Sequence, residues 1–288
     1  MSVKQIQLDK RSAGYWSATF SHPPINLVDP NTIGELDALI AEMEAAPELR
    51  VIVFRSADPD FFLAHYDVLI DKAVTAALKP GPTGLHPWLD VLVRLSRAPV
   101  VSIASIRGCA RGAGSEFALA CDMRFASRER AVLGQFEVGV GAVPGGGPMA
   151  RLSRLAGRGR ALEIVLGADD FPGELAERYG YVNRALPDAE LERFVDAFAR
   201  RLAGFEKRAI AEAKAMVDEV TLPPNEELAL GMKAYFASAT RPETRARVSA
   251  LVSRGLQQRS DVELRLGTYV GESTDERADA SPQKASAH

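Results

Sequence analysis

The stretch Ile106-Arg107-Gly108-Cys109-Ala110-Arg111-Gly112-Ala113-Gly114-Ser115-Glu116-Phe117-Ala118-Leu119-Ala120-Cys121-Asp122 decides how the rest of the chain is read. Before it, Val100-Val101-Ser102-Ile103-Ala104-Ser105 is a largely apolar run that suits a strand covered on both faces. Gly108, Gly112 and Gly114 then make a turn, and a helix begins near Ala113. Such a turn presents backbone N–H groups at the positive end of a helix dipole. It lacks the spacing of a P-loop or a dinucleotide fingerprint. Read alone, it is equally a tight turn packed for steric reasons. Glu116 lies one turn into a helix whose next residues, Phe117 to Cys121, are apolar all round, which marks a buried helix. A carboxylate there is paired, protonated or at work, unless it is only a favourable charge in a first turn.

Outward from this point the chain alternates strand and helix. Gln5-Ile6-Gln7-Leu8 and Tyr15 to Phe20 read as a hairpin turning at Gly14. His22-Pro23-Pro24 cannot continue a central strand, because proline has no N–H donor. Asp29-Pro30 starts a helix with Leu36, Leu39, Ile40 and Met43 as its apolar stripe. Arg50 to Phe54 is a second covered strand. This order predicts an α/β fold with crossover connections. Val68 to Leu78, ending in Lys79-Pro80-Gly81-Pro82, reads as a helix and loop over a site or as an ordinary surface connection. From about residue 189 the pattern is helical, with Leu191, Phe194, Val195 and Phe198 at helix spacing. Further helices are predicted over Phe205–Val220, Glu226–Phe236 and Pro242–Gln257. The division expected is a core over 1–188, a helical region over 189–265 and a disordered, polar tail over 266–288.

Composition excludes whole classes. The chain has 288 residues, 47% hydrophobic and 25% charged, which rules out wholesale disorder and fibrous structure. A net charge of −3 gives no general attraction to nucleic acid or anionic lipid. Arg151, Arg154, Arg158 and Arg160 form a local basic cluster that a solvated helix face explains as well as nucleic-acid binding does. No run approaches the roughly 18 apolar residues of a membrane span, and the N-terminus has no apolar stretch like a secretory signal. Cys109 and Cys121 are too few for a disulfide scaffold or a four-ligand zinc site, and the four histidines show no ligand spacing. A cytoplasmic protein without metal or nucleic acid is expected.

Two more segments carry chemistry. Leu133 to Gly147 places Glu137 in a glycine-rich, apolar loop with no cation from Ala131 to Ala150. Such a carboxylate is either a solvated loop residue or an acid with a raised pKa. Asp60-Phe61-Phe62-Leu63-Ala64-His65-Tyr66-Asp67 is a further strand-to-helix turn able to offer an N–H, though an ordinary connection also fits it.

Together these segments resemble the crotonase (enoyl-CoA hydratase/isomerase) superfamily over roughly residues 1 to 190. Gly108-x-Ala110-x-Gly112-Ala113-Gly114-x-Glu116 with Ala120-Cys121-Asp122 is similar to its oxyanion and acid segment. Phe136-Glu137-Val138-Gly139-Val140 with Pro144-Gly145-Gly146-Gly147 is similar to its second-glutamate segment. Pro24-Ile25-Asn26-Leu27 resembles its CoA-gripping loop, and Pro99 to Ile103 resembles the strand entering the oxyanion turn. Gly173-Glu174-Leu175-Ala176 through Gly180-Tyr181-Val182-Asn183 resembles the segment leading into the C-terminal helices.

The resemblance implies a spiral of ββα units with a C-terminal helical trimerisation region. It implies a thioester oxygen held by the amides of Tyr66 and Ala113. It implies hydration of an enoyl-CoA, with Glu116 activating water and Glu137 delivering the α proton. Substrate contacts are implied for Ile25, Asn26, Ala64, His65, Tyr66, Asp67, Gly112, Gly114, Phe136 and Gly145. Coenzyme A belongs to the substrate, so no separate cofactor is implied; a homotrimer or dimer of trimers is. Departures stand beside the match. The family's usual Gly and Ala in the first donor loop are His65 and Tyr66 here, two large side chains expected to crowd the thioester entrance. Ala113 replaces a glycine, Phe136 replaces a proline, and Thr244 to Arg259 lacks the family's C-terminal signature. An isomerase, another CoA-thioester enzyme of this fold and a non-catalytic acyl-CoA-binding protein are the alternatives.

Overall fold

The computed structural model describes residues 4–71, 74 and 78–279, with side chains described as far as residue 272 at the C-terminal end. Of the segment Val68–Leu78 read from sequence as a helix and loop, residues 72, 73 and 75–77 lie outside the described residues. β1 (Ile6–Ser12) and β2 (Tyr15–Phe20) form the hairpin, with Ser12 paired to Tyr15 across the turn at Gly14. α1 (Pro30–Ala45) starts as predicted. The Asp29 carboxylate accepts from the Thr32 amide at 2.7 Å, and the Thr32 hydroxyl accepts from the Asp29 amide at 3.2 Å.

Three successive units then each give one strand to each of two sheets before a helix. They are β3 (Val51–Ser56) and β4 (Phe61–Leu63), then β5 (Val101–Ile106) and β6 (Cys109–Arg111), then β7 (Met123–Ser127) and β8 (Val132–Gly134). The helices that follow the first and last strand pairs are α2 (Pro87–Arg97) and α4 (Pro148–Ala156), with α3 (Ala113–Ala120) between. β9 (Phe171–Pro172) and β10 (Arg184–Leu186) complete sheets of order β1-β2-β3-β5-β7-β10 and β4-β6-β8-β9. This is the expected spiral of ββα units. All pairings from β2 to β10 in the larger sheet are parallel, which is why its strands read as continuous apolar runs. Ile52 and Phe54 face the main core, while Val51 and Val53 face Leu191, Val195 and Ala199 of α7 (Asp188–Ala203). Phe117 of α3 is the hub of the main core. Its ring lies 4.9 Å from that of Phe54 and 5.3 Å from that of Phe20, both edge-on.

Between β9 and β10 lies α6 (Gly173–Tyr179), preceded by α5 (Arg158–Gly167). The C-terminal helices are α8 (Lys207–Thr221), α9 (Asn225–Ala239), α10 (Pro242–Arg254), α11 (Asp261–Leu264) and α12 (Leu266–Asp279). α12 corrects the reading of a disordered tail over 266–279, and the rest of that stretch, 280–288, lies outside the described residues. Leu266, Tyr269 and Val270 fall on one helical face and pack with Phe136, Val140 and Ala168, a tertiary contact invisible in a mostly polar stretch. The basic cluster is divided, with Arg158 and Arg160 exposed. Arg151 is buried and donates to the Ser96 hydroxyl at 2.9 Å, while Arg154 pairs with Glu227.

Gly114 fixes how closely α3 approaches β4, because a Cβ there would fall on the Leu63 carbonyl. Gly114→Ala is expected to cost about 1–3 kcal/mol through overpacking, read as a lower urea midpoint with an unchanged slope.

Candidate active site

The site forms where β4 and β6 end side by side. Phe61 pairs with Cys109 and Leu63 with Ala110, and the Arg111 amide then donates to the Ala64 carbonyl at 3.0 Å. Ala64–Asp67 is thereby laid along the turn Gly112–Ala113. On its far side this segment bridges Val28: the Val28 amide donates to the His65 carbonyl and the Asp67 amide to the Val28 carbonyl. A parallel bridge of this kind uses the groups flanking Tyr66 and turns the Tyr66 amide to the opposite side. Gly112, at φ 49, caps α3, and its amide is used by the Gly134 carbonyl at 3.0 Å. Ala113 is the first helical residue. Among the described residues its amide meets no acceptor, as expected for the first turn of a helix.

The two glutamates converge on this turn. Glu116 is buried in α3, with its Oε2 accepting from the Trp88 indole at 2.8 Å and its Oε1 from the Gly146 amide at 2.6 Å. Burial raises its pKa and outweighs the Trp88 and Gly146 donors and the Arg151 charge, which act in the opposite direction. Glu137 begins the short 3₁₀ helix Glu137–Val140. A Cβ on Gly112 would lie 2.9 Å from its Oε1, so this carboxyl rests against the donor turn. Its Oε2 is buried without a hydrogen-bond partner among the described residues. Burial, and then the neighbouring Glu116 charge, push its pKa up to about 8. Two carboxyls of one type thus sit in different surroundings, one with a donor from another element on each oxygen and one with only its own backbone N–H and an oxygen left bare. That is the arrangement that separates a base from an acid.

The remaining predicted residues divide. Phe136 and Gly145 line the same region: the Phe136 ring lies beside Gly112, and Gly145 lies under the Tyr235 ring of α9. Gly112 and Gly114 shape the donor turn. The Ile25 and Ala64 side chains, by contrast, are sealed in a cluster with Leu27, Phe61 and Cys109. The Asn26 amide group is spent on the Ser56 hydroxyl and the Phe61 and Phe62 carbonyls, with its Oδ1 taken by the His22 amide. These three serve the loop's shape, and only their backbone could meet a ligand. His65 corrects its half of the expectation of a crowded entrance, while Tyr66 stays half-buried against the main core. The His65 side chain is 1% exposed, with Nδ1 on the Tyr66 carbonyl at 2.8 Å and Nε2 on Glu263 Oε1 at 2.9 Å. Two acceptors require both ring nitrogens to donate, so the ring is the imidazolium. Burial lowers its pKa, but the Glu263 charge and the hydrogen bonds outweigh this and raise it. Asp67 is held from outside by Gln257, whose Nε2 donates to its Oδ1 at 2.5 Å.

Sequence reasoning missed Trp88, Gly146, Tyr235 and Glu263. Gly146 stood inside a quoted motif; a Cβ there would strike the Glu116 carboxylate, and this required the fold to see. The Tyr235 hydroxyl is pushed up to about 12 by burial and then by the Glu116 and Glu137 charges, which places it beside the pair. Among the described residues no cluster of His, Cys, Asp or Glu could hold a metal ion, and no helix is long and apolar enough to cross a membrane.

Comparison with known proteins gives a consistent picture. A sequence profile described as enoyl-CoA hydratase/isomerase matches residues 10–249. A probable enoyl-CoA hydratase of Mycobacterium avium is 30% identical over 226 residues, covering 78% of this chain and 86% of that protein. A short-chain-enoyl-CoA hydratase of Clostridium acetobutylicum is 31% identical over 196 residues, covering 67% of this chain and 73% of its own. A solved Streptomyces avermitilis structure, provisionally named an enoyl-CoA hydratase, superposes with a TM-score of 0.88. It is 44% identical and covers 94% of this chain and 98% of that one.

A carboxyl whose folded-state pKa is raised to about 8 lowers stability as pH rises from the ordinary carboxylate range through that value, because the unfolded chain ionises first. Glu137→Gln removes this term. The variant is expected to melt several degrees above the parent at pH 9, with the gap closing below pH 4, both read by circular dichroism.

Proposed function

This chain belongs to the enoyl-CoA hydratase/isomerase family, and on that premise we propose that it adds water across the α,β double bond of an enoyl-CoA thioester. The observation that carries this reading is the unequal pair: Glu116 held by two donors, and Glu137 with its Oε1 against the donor turn and its Oε2 without a partner among the described residues. Addition of water puts negative charge on the thioester oxygen. Amides of Tyr66 and Ala113 aimed at that oxygen would stabilise it by about 3–4 kcal/mol each in a dry site. The Trp88 and Gly146 bonds favour the ionised form of Glu116 and fix its orientation, which suits a base. Its carboxylate takes a proton from water as the water oxygen bonds to the β carbon. Glu137, neutral, gives its proton to the α carbon. The pair ends with the proton moved from one acid to the other, and exchange with solvent resets it. The chemistry asks for no cofactor beyond the coenzyme A that the substrate carries.

Assembly fits the same reading. Met216, Val217 and Val220 on α8 are 75%, 60% and 80% exposed, an apolar stripe that a second copy would cover in a trimer.

With crotonyl-CoA, loss of the conjugated thioester absorbance is expected for the parent. Glu116→Gln and Glu137→Gln should each lower kcat by about 10²–10⁴. Glu137→Gln inactive with Glu116→Gln largely active would replace hydration by isomerisation. In the parent, kcat/KM should fall as pH rises through about 8, where Glu137 loses its proton.

A further inference from the structure

The two donor segments are fastened to one place outside the site, in the C-terminal part of the same chain. Glu263 is fully buried, and its Oε1 accepts from the His65 ring at 2.9 Å and from the Gln257 amide at 2.6 Å. Through His65, which also binds the Tyr66 carbonyl, it grips the first donor segment. The Gln257 side chain grips it again, with Oε1 taking the Val68 amide at 3.0 Å and Nε2 donating to Asp67 at 2.5 Å. The backbone of the same short helix holds the second segment. Arg111, one residue before Gly112, donates to the Glu263 carbonyl at 2.7 Å and to the Leu264 carbonyl at 3.1 Å. Arg111 is itself anchored by Asp170 at 2.6 and 2.8 Å. Its charge and that of His65 balance Asp170 and Glu263, so the buried cluster is neutral and each member needs the others.

We propose that Glu263 and Gln257 are positioning residues that set the spacing between the Tyr66 and Ala113 amides. Neither touches the reacting atoms. This proposal rests on the reading of those amides as donors to a thioester oxygen. The backbone of Gln257 supports it: a non-glycine residue at φ 65 is held in the left-handed region, a conformation that persists where surrounding contacts over-determine it. Here those contacts are the three hydrogen bonds that tie it to Glu263 and to the donor loop.

The test uses the full chain and butyryl-CoA labelled with carbon-13 at the carbonyl, a saturated thioester that cannot add water. Infrared spectroscopy of the bound ester reads hydrogen bonding to its carbonyl directly. The parent should shift the carbonyl stretch to lower frequency, and Glu263→Gln should return it toward the value in water. With crotonyl-CoA, the same variant should lose about 10- to 100-fold in kcat with KM changed less than about threefold, since donor alignment acts mainly on the transition state. Gln257→Gly suits the left-handed backbone and removes only the clamp, so it keeps the test open if Glu263→Gln fails to fold. It should show both effects in the same direction. A folded variant with the parent's carbonyl frequency and kcat would overturn the proposal. A parent that binds and polarises butyryl-CoA but hydrates nothing would overturn the hydratase reading alone, leaving the positioning role to the infrared comparison. A parent that binds neither ester would overturn both.

Discussion

Two carboxyl groups are buried next to one another, and the rest of the structure is arranged around that constraint. Removing a carboxylate from water is unfavourable, and a second one nearby makes it worse. The fold answers asymmetrically. Glu116 receives an indole N–H and a backbone N–H on separate oxygens. Glu137 has only its own backbone N–H to set against burial and the Glu116 charge, its Oε2 has no partner among the described residues, and its pKa rises to about 8. Trp88 comes from α2, Glu116 from α3, and Glu137 and Gly146 from the stretch between β8 and α4, so every turn of the ββα spiral contributes to the site.

Glycines set the tolerances. Gly146 lets a backbone amide reach Glu116, Gly112 makes room for Glu137, and Gly114 lets α3 settle onto β4. Each is required by one close approach. Gly139 plays the same part behind the site, where Val270 of α12 packs on the helix that carries Glu137. Stability and chemistry compete here, since a buried ionisable pair would not be chosen for packing alone.

Much of this was legible in residue order. The covered strands, the Asp29 cap, the glycine-rich donor turn and the buried all-apolar helix around Glu116 each had a local signature. So did Glu137 in a loop without cations. The C-terminal contribution had none. Leu266, Tyr269 and Val270 are sparse apolar residues in a polar stretch, and nothing local says that they close over Phe136 and Val140. His65 looked like an obstruction beside the thioester. Its partner Glu263 stands 198 positions away, and the pairing turns the side chain out of the entrance and into a buried ion pair. Trp88 is similar, an ordinary helical aromatic until the fold brings it to Glu116.

The proposed chemistry turns on Glu137 being a neutral acid beside Glu116. Carbon-13 NMR of chains carrying side-chain-carboxyl-labelled glutamate, assigned by comparison with Glu137→Gln, measures that protonation state as pH is varied. The Glu137 carboxyl is expected to remain protonated at pH 7 and to titrate near pH 8. Titration of Glu137 in the ordinary carboxylate range, near pH 4, would contradict it.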